Sequence, residues 1–357
     1  MTGFEISQRK VGPGYPPYVI AELSGNHNGN IDRALALIDA AAKAGADAVK
    51  LQTYTADTIT IDHDGPGFVI QEGLWKGRKL YDLYAEAHTP WEWHPRLFDH
   101  ARSLGLHSFS SPFDETAVAF LNKLAVPAFK IASFEVVDIP LIESAAATGK
   151  PLIISTGMAE ESDIAAAIMA AQRAGASGIA LLHCVSGYPT PADEANCRRI
   201  PFLASQYGCP VGLSDHTKGT DVALVATALG ACIIEKHLTL ARADGGPDAE
   251  FSLEPDEFAR LVQGTRTAFS ALGSSAETIK PSERVNLSLR RSLYVVSDIR
   301  KGDIFTPDNI RSIRPGFGLS PSLLPSLIGR KSTADLRRGS PLKIEHIEQT
   351  GDRPISS

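Results

Sequence analysis

Short apolar runs that end in polar residues recur along the first two thirds of the chain. They are Val19-Ile20-Ala21-Glu22, Ala48-Val49-Lys50-Leu51-Gln52, Phe109-Ser110-Ser111, Phe129-Lys130-Ile131-Ala132-Ser133, Leu152-Ile153-Ile154-Ser155-Thr156-Gly157, Leu181-Leu182-His183-Cys184-Val185-Ser186, Gly212-Leu213-Ser214-Asp215-His216-Thr217 and Ile233-Ile234-Glu235-Lys236-His237. Each reads as a buried strand with a polar end. Between them lie alanine-rich stretches with helical spacing, such as Ile31, Leu35, Ile38 and Ala42 before Gly45, or Ile164, Ile168 and Ala171 before Gly175. Thr89-Pro90-Trp91-Glu92 predicts a helix start, with Thr89 as N-cap, Pro90 at the first helical position and Glu92 completing a capping box. Eight βα units in about 270 residues predict an α/β fold, a closed (β/α)₈ TIM barrel rather than an open doubly wound sheet. No G-x-G-x-x-G follows the first strand, which weakens a dinucleotide-binding alternative.

In such barrels the active site lies at the C-terminal ends of the strands. Those ends collect Glu22, Lys50, Gln52, Lys130, Ser133, Ser155, Ser214, His216, Glu235 and His237. Barrel interiors are otherwise apolar, so such a ring is costly to bury unless its members pair with each other, a metal or a ligand. Side chains alternate faces along a strand, so Ser214 shares a face with His216, and Glu235 with His237. Lys130 and Ser133 differ in parity, which places Ser133 in the following loop. A single buried His is usually a hydrogen-bonded packing residue; two delivered to one rim by neighbouring strands form half of a divalent metal site.

After the barrel the composition changes. Residues 1–272 read as the barrel, 273–290 as a linker rich in Ser and charge, and 291–357 as a small C-terminal domain of short strands and turns. Of the 357 residues 43% are apolar and 21% charged, ordinary for a soluble protein with one large and one small domain. No run approaches the length of a membrane span, and no basic-then-apolar leader opens the chain, so a cytoplasmic protein is expected. Cys184, Cys197, Cys209 and Cys232 form no C-x-x-C pair and read as free thiols. The net charge of −6 argues against a nucleic-acid partner, so an anionic substrate needs local positive charge, which Lys50 and Lys130 supply.

Lysines and hydroxyls from different strands suit a ligand carrying both phosphate and carboxylate, since each anionic oxygen needs its own donor. A structural ion-pair network would use the same residues. Two His with a nearby carboxylate suit Mn²⁺, Zn²⁺, Fe²⁺ or Co²⁺ better than Mg²⁺ or Ca²⁺. A metal so held can act as a Lewis acid on an aldehyde or ketone. The residues alone therefore predict a metal-assisted aldol-type or carbonyl-addition enzyme acting on a phosphorylated anion.

The whole chain also resembles the sialic acid synthase family. The motifs that carry the resemblance are Ile20-Ala21-Glu22, Asn26-His27-Asn28-Gly29, Val49-Lys50-Leu51-Gln52, Lys130-Ile131-Ala132-Ser133, Ser155-Thr156-Gly157-Met158, Tyr188-Pro189-Thr190-Pro191, Gly212-Leu213-Ser214-Asp215-His216-Thr217 and Glu235-Lys236-His237. Ser292 to Ile347, with Arg314-Pro315-Gly316, looks like that family's antifreeze-like (SAF) domain. Glu22-Leu23-Ser24-Gly25-Asn26-His27, Gly73-Leu74-Trp75, Leu80-Tyr81-Asp82-Leu83-Tyr84 and Ser110-Ser111-Pro112-Phe113-Asp114 are similar to the branch that makes pseudaminic acid.

The resemblance implies a transferase that condenses phosphoenolpyruvate with 2,4-diacetamido-2,4,6-trideoxy-L-altrose. It implies His216 and His237 as ligands of a divalent metal, Mn²⁺ first, with Co²⁺ or Mg²⁺ as alternatives. It further implies Lys50, Ser111, Lys130, Ser133, Ser155 and Ser214 on phosphoenolpyruvate, and Glu22 and Glu235 as acid/base residues. Asn26, Gln52, Glu135, Tyr188 and Asp248 fall on the sugar side, and Arg314 reaches a neighbouring subunit's barrel in a domain-swapped homodimer. Trp75, Trp91 and Trp93 are further sugar-wall candidates, although a Trp at a helix start is more often packing. The alternatives are an N-acetylneuraminate, legionaminate or spore-coat polysaccharide synthase, a metal aldolase or lyase, and a non-catalytic carbohydrate- or ice-binding protein.

Overall fold

The computed structural model describes residues 3–274 and 279–349. The chain divides into two units, Met1–Gly273 and Ser274–Ser357. The first opens with a hairpin, β1 (Phe4–Ile6) and β2 (Arg9–Val11), that the hydrophobic pattern does not predict. Its two turn residues, Ser7 and Gln8, both have positive φ (45° and 69°), the conformation of a tight hairpin turn without its usual Asn or Gly. Phe4 packs beside Gly178, and Ile6 and Val11 are buried, so the hairpin lies against the end of the barrel opposite the polar rim.

Eight parallel strands then close a barrel: β3 (Tyr18–Glu22), β4 (Ala48–Thr53), β5 (His107–Pro112), β6 (Phe129–Ile131), β7 (Leu152–Ser155), β8 (Ile179–Cys184), β9 (Val211–Asp215) and β10 (Ile233–His237), with β10 pairing back onto β3. Helices follow in the connections. Ile31–Ala44 buries Ala34, Leu37, Ile38 and Ala41, and is capped by the Asn30 side chain at its start and by left-handed Gly45 at its end. Glu161–Ala174 ends likewise at Gly175.

One predicted helix start is wrong. The Thr89 side chain caps nothing; its hydroxyl lies 3.2 Å from His27 Nε2. Trp91–Trp93 forms a single 3₁₀ turn behind Pro90, and the α-helix begins at His94, with Pro95 in its first turn. The predicted break in β6 holds: the strand stops at Ile131, and Ser133–Glu135 is a 3₁₀ turn after it.

In the second unit β11 (Ser292–Val295) pairs antiparallel with β12 (Ile310–Ile313). Leu293, Val295, Ile299, Phe305, Ile310, Leu327, Leu336, Leu342 and Ile347 form its own core. Residues 275–278 of the expected linker lie outside the described residues; Pro281–Arg284 and Leu287–Leu289 that follow are short helical turns. Among the described residues no helix is long and apolar enough to cross a membrane.

Gly212 shows how tightly β9 is seated. A Cβ there would run into the Ile233 carbonyl oxygen and sit 2.7 Å from both Ile233 Cβ and Leu182 Cδ2. Those neighbours belong to the adjoining strands and cannot yield. Gly212→Ala is expected to cost about 1–3 kcal/mol through overpacking, measured by urea denaturation.

Candidate active site

Strand parity brings the predicted residues to one rim. The register places Glu22 opposite His237 and Lys50, Glu235 opposite Ser214, Gln52 opposite Ser111, and Cys184 opposite Ser214. At its centre Lys50 lies between two carboxylates, with Nζ 2.9 Å from Glu235 Oε1 and 3.1 Å from Glu22 Oε2. Gln52 Nε2 donates to Glu22 Oε1 (2.9 Å), and Ser214 Oγ donates to Glu235 Oε1 (3.3 Å). Lys130 Nζ donates to Ser155 Oγ (2.6 Å) and the Ile131 carbonyl (3.0 Å), and is 4.0 Å from Glu235 Oε1.

The group is deeply buried, and its protonation follows from that. Burial pushes the Glu22 carboxyl up to about 7 against the pull of Lys50. Burial also acts on Glu235, but Lys130 and Lys50 outweigh it and hold that carboxyl below its ordinary value. Lys50 loses from burial and gains more from Glu22 and Glu235, so it stays protonated. Lys130, with no carboxylate at hydrogen-bond distance, is lowered by burial to about 8. Of the two rim lysines it is the one with less negative charge close by, and it faces a wall of hydroxyls.

That wall contains Ser133, Ser155 and Ser186. Ser133 Oγ accepts from the Gly157 amide (3.2 Å), and a Cβ at Gly157 would collide with Ser186 Oγ and lie 2.7 Å from Ser133 Oγ. Ser111 Oγ is buried without a hydrogen-bond partner, as are Glu235 Oε2, Asn26 Oδ1 and Glu135 Oε2. Buried polar atoms are normally satisfied, so this concentration of partnerless oxygens marks a place where a ligand completes the bonding. Burial raises the Glu135 carboxyl to about 7.

The two histidines stand beside this group. Their rings are 5.5 Å apart. His216 Nδ1 is 3.1 Å from the Val185 carbonyl and 3.8 Å from Cys184 Sγ; His237 Nδ1 is 3.3 Å from Ser24 Oγ and 3.9 Å from Asp248 Oδ2. Both rings are thus oriented through Nδ1, which leaves Nε2 of each as the ligand nitrogen, the usual second-sphere arrangement of metal-binding imidazoles. No group of three or more His, Cys, Asp or Glu able to hold a metal converges among the described residues, and the candidate donors at this rim are the two imidazoles.

An aromatic wall lies beyond. Tyr188 packs on His216 (4.4 Å between ring centres), Phe251 (5.3 Å) and Trp75 (5.4 Å), and Phe251 packs on His237 (4.8 Å). Trp75 Nε1 donates to the Pro247 carbonyl (2.8 Å), tying the loop after β4 to the loop after β10. A cavity of about 710 Å³ opens there, lined by Leu74, Trp75, Arg242, Pro247 and Phe251 among others. Trp91 instead stacks on Phe120 and Trp93 on His27, so of the three tryptophans only Trp75 reaches Tyr188. Asn26 spends its amide hydrogens on the Leu238 carbonyl (2.9 Å) and Ser252 Oγ (2.8 Å). Arg314 is exposed on the loop after β12 in the second unit.

Three contributors were not among the predicted site residues. Ser24, with φ of 39°, meets His237. Phe251 sits in a loop with no motif. Cys184, read as a free thiol, is buried and lies against His216; burial would push the thiol up, yet the imidazole brings it down to about 7. Only the odd-even parity of β8 could have placed it inward.

A parallel eight-stranded barrel carrying this rim is the frame of a sugar-acid synthase, and the comparisons agree. The NeuB family profile matches residues 37–277 and the SAF domain profile residues 290–348. The chain belongs to the NeuB family. A pseudaminic acid synthase of Campylobacter jejuni subsp. jejuni serotype O:23/36 (strain 81-176) is 42% identical over 326 residues, 91% of this chain and 95% of that protein. The pseudaminic acid synthase of Helicobacter pylori (strain ATCC 700392 / 26695) is 41% identical over 336 residues, 94% of this chain and 99% of the other. Among solved structures, the N-acetylneuraminic acid (sialic acid) synthetase of Leptospira borgpetersenii serovar Hardjo-bovis, in complex with citrate, matches with a TM-score of 0.72 and 34% identity, over 80% of this chain and 95% of that one.

Lys50→Met would leave Glu22 and Glu235 facing each other without their cation, a loss of about 3–5 kcal/mol for a broken buried pair. Lys130 still lies 4.0 Å from Glu235, but without Lys50 burial holds the Glu22 carboxyl further above its unfolded value, so Glu22 favours the folded state only while protonated. The deficit against wild type is therefore expected to be largest near pH 8 and to shrink towards pH 5, as read by urea denaturation at the two pH values.

Proposed function

We propose that the chain is a pseudaminic acid synthase, condensing phosphoenolpyruvate with 2,4-diacetamido-2,4,6-trideoxy-L-altrose to give pseudaminic acid and phosphate. The observation that carries this reading is the rim itself: Lys50 and Lys130 among hydroxyls and partnerless oxygens, beside two imidazoles with Nε2 available. Identity above 40% to two pseudaminic acid synthases over nearly their whole length supports the branch.

In this reading Lys50, Ser111, Lys130, Ser133, Ser155 and Ser214 bind the phosphate and carboxylate of phosphoenolpyruvate. Lys130 is the principal countercharge, because it lacks a close carboxylate of its own. His216 and His237 hold a divalent ion, Mn²⁺ in preference to Co²⁺ or Mg²⁺. When bound, such an ion supplies Lewis acidity towards the open-chain aldehyde of the sugar. Asn26, Gln52, Glu135, Tyr188 and Asp248 line the sugar side, with Trp75 behind Tyr188.

The π electrons of phosphoenolpyruvate form the new bond from C3 to the aldehyde carbon, and the aldehyde oxygen takes a proton. C2, left electron-poor, gains water, which releases a proton. The bond from C2 to the phosphate oxygen then breaks, phosphate leaves with the electron pair, and the C2 hydroxyl gives up its proton to the departing phosphate as it becomes the ketone. Glu22 and Glu235 serve these proton transfers. Sharing Lys50, they are pushed in opposite directions, Glu22 towards holding a proton and Glu235 towards releasing one, which suits one acid and one base. Arg314 of a second copy completes the sugar side in a domain-swapped homodimer.

Phosphate release from phosphoenolpyruvate with Mn²⁺ tests the reading, using the L-altrose derivative, its D-manno stereoisomer and N-acetylmannosamine, each with and without chelator. Release confined to the first sugar and abolished by chelation is expected. Release with another sugar alone overturns the branch, and release with none overturns the synthase reading. His216→Ala is expected to lower kcat by at least about 100-fold, the scale of a lost transition-state electrostatic contact. Arg314→Ala is expected to raise the sugar KM about 10-fold with the phosphoenolpyruvate KM unchanged, the scale of one charged hydrogen bond; an unchanged sugar KM, or a monomer by light scattering, overturns the swapped-arm assignment.

A further inference from the structure

Asp215 and Lys236 are the motif residues that the reaction leaves unused. They occupy the outward positions of β9 and β10, between the inward Ser214 and His216 on one strand and Glu235 and His237 on the other. The two are direct partners in the sheet register. Lys236 Nζ lies 2.8 Å from Asp215 Oδ2, with both side chains essentially excluded from solvent. The same ammonium donates to the Thr217 carbonyl, while Asp215 Oδ1 accepts from the Thr217 amide (2.9 Å) and hydroxyl (2.7 Å).

The location matters because the ladder between these strands stops here. Lys236 opposite Asp215 is the last β9–β10 pair; His237 continues in register with Glu22 of β3, whereas β9 ends at Asp215. The sheet therefore fixes His237 but leaves His216 one residue beyond its strand. The clamp joins the residue before each histidine to the residue after His216, and the Thr190 amide donates to the His216 carbonyl (3.0 Å) from the other side.

Stability alone is a poor reason for such a pair, since well-packed apolar replacements of buried ion pairs are often as stable or more so. What the pair supplies is a fixed distance. We propose that the Asp215–Lys236–Thr217 clamp is a positioning device that sets the separation of the His216 and His237 imidazoles, and through it the affinity of the site for a divalent cation. This rests on the assignment of the two histidines to a metal.

Mn²⁺ binding to the full-length protein, read by the electron paramagnetic resonance signal of free Mn²⁺, tests it in wild type, Asp215→Leu/Lys236→Met, Asp215→Asn and His216→Ala. The double variant removes both charges and also the partners of the buried Thr217 amide, hydroxyl and carbonyl, so its thermal midpoint is expected to fall, and binding is read at a temperature where it is folded. Its Mn²⁺ affinity is expected to fall about 10–100-fold, the usual effect of losing an outer-sphere partner, with phosphoenolpyruvate affinity changed less than about 2-fold. A folded double variant with wild-type Mn²⁺ affinity overturns the clamp. So does an equal weakening of Mn²⁺ and phosphoenolpyruvate binding, which signals a general structural role. If the double variant fails to fold, Asp215→Asn, which keeps shape and an acceptor for Thr217, decides between the same outcomes. If wild type and His216→Ala bind Mn²⁺ alike, the metal assignment falls, and the clamp with it.

Discussion

Lys50 between Glu22 and Glu235 is the interaction on which the rest of the site depends. Three charged side chains from β4, β3 and β10 would be prohibitively costly inside an apolar barrel if any one stood alone. Together they need only one another, and they join three consecutive strands across the seam where β10 meets β3. Lys50 pulls both carboxyls down, and Lys130, which lies 4.0 Å from Glu235, holds that one lower still, so their proton affinities separate. With Glu235 already bonded to Lys50, no carboxylate is left within hydrogen-bond distance of Lys130. Two buried lysines sharing two carboxylates thus set the asymmetry on which the proposed acid/base and anion-binding roles rest.

The barrel converts strand parity into a division of labour. Inward positions at the strand ends hold the residues proposed for chemistry, and the outward Asp215 and Lys236 between them pair with each other across the sheet. On β9 and β10 this alternation is complete, with Ser214, His216, Glu235 and His237 within and Asp215 and Lys236 without. Gly212 and Gly157 belong to the same design by subtraction: a single added carbon would meet the Ile233 carbonyl at the first and the Ser186 and Ser133 hydroxyls at the second.

Much of this was legible in the sequence because both signals are local. Apolar runs ending in polar residues gave eight strands, and a period of two decided which residues face inward, down to the exclusion of Ser133 from β6. Where the reading failed, the deciding contact was distant. Thr89 has the composition of a helix cap, but its hydroxyl is taken by His27, 62 residues away. The β1–β2 hairpin turns on Ser7 and Gln8, which carry no turn signature. Nothing near Trp75, Trp91 or Trp93 distinguishes them; only the folded loops separate the one that meets Tyr188 from the two that pack elsewhere. Phe251 and Ser24 were missed for the same reason.

The bond from Trp75 to the Pro247 carbonyl has a consequence for anyone wishing to change what this barrel accepts. The half proposed to bind the anion is made of strand ends, so its geometry is inherited from the sheet and is hard to alter piecemeal. The aromatic half is made of loops after β4, β8 and β10, and the indole N–H joins the first of them to the last above Tyr188. Grafting either of those two loops alone from a relative would put the half-buried indole donor at risk of losing its acceptor. The pair behaves as one exchangeable cassette, and swaps of acceptor preference by recombination will have to move both of its pieces at once.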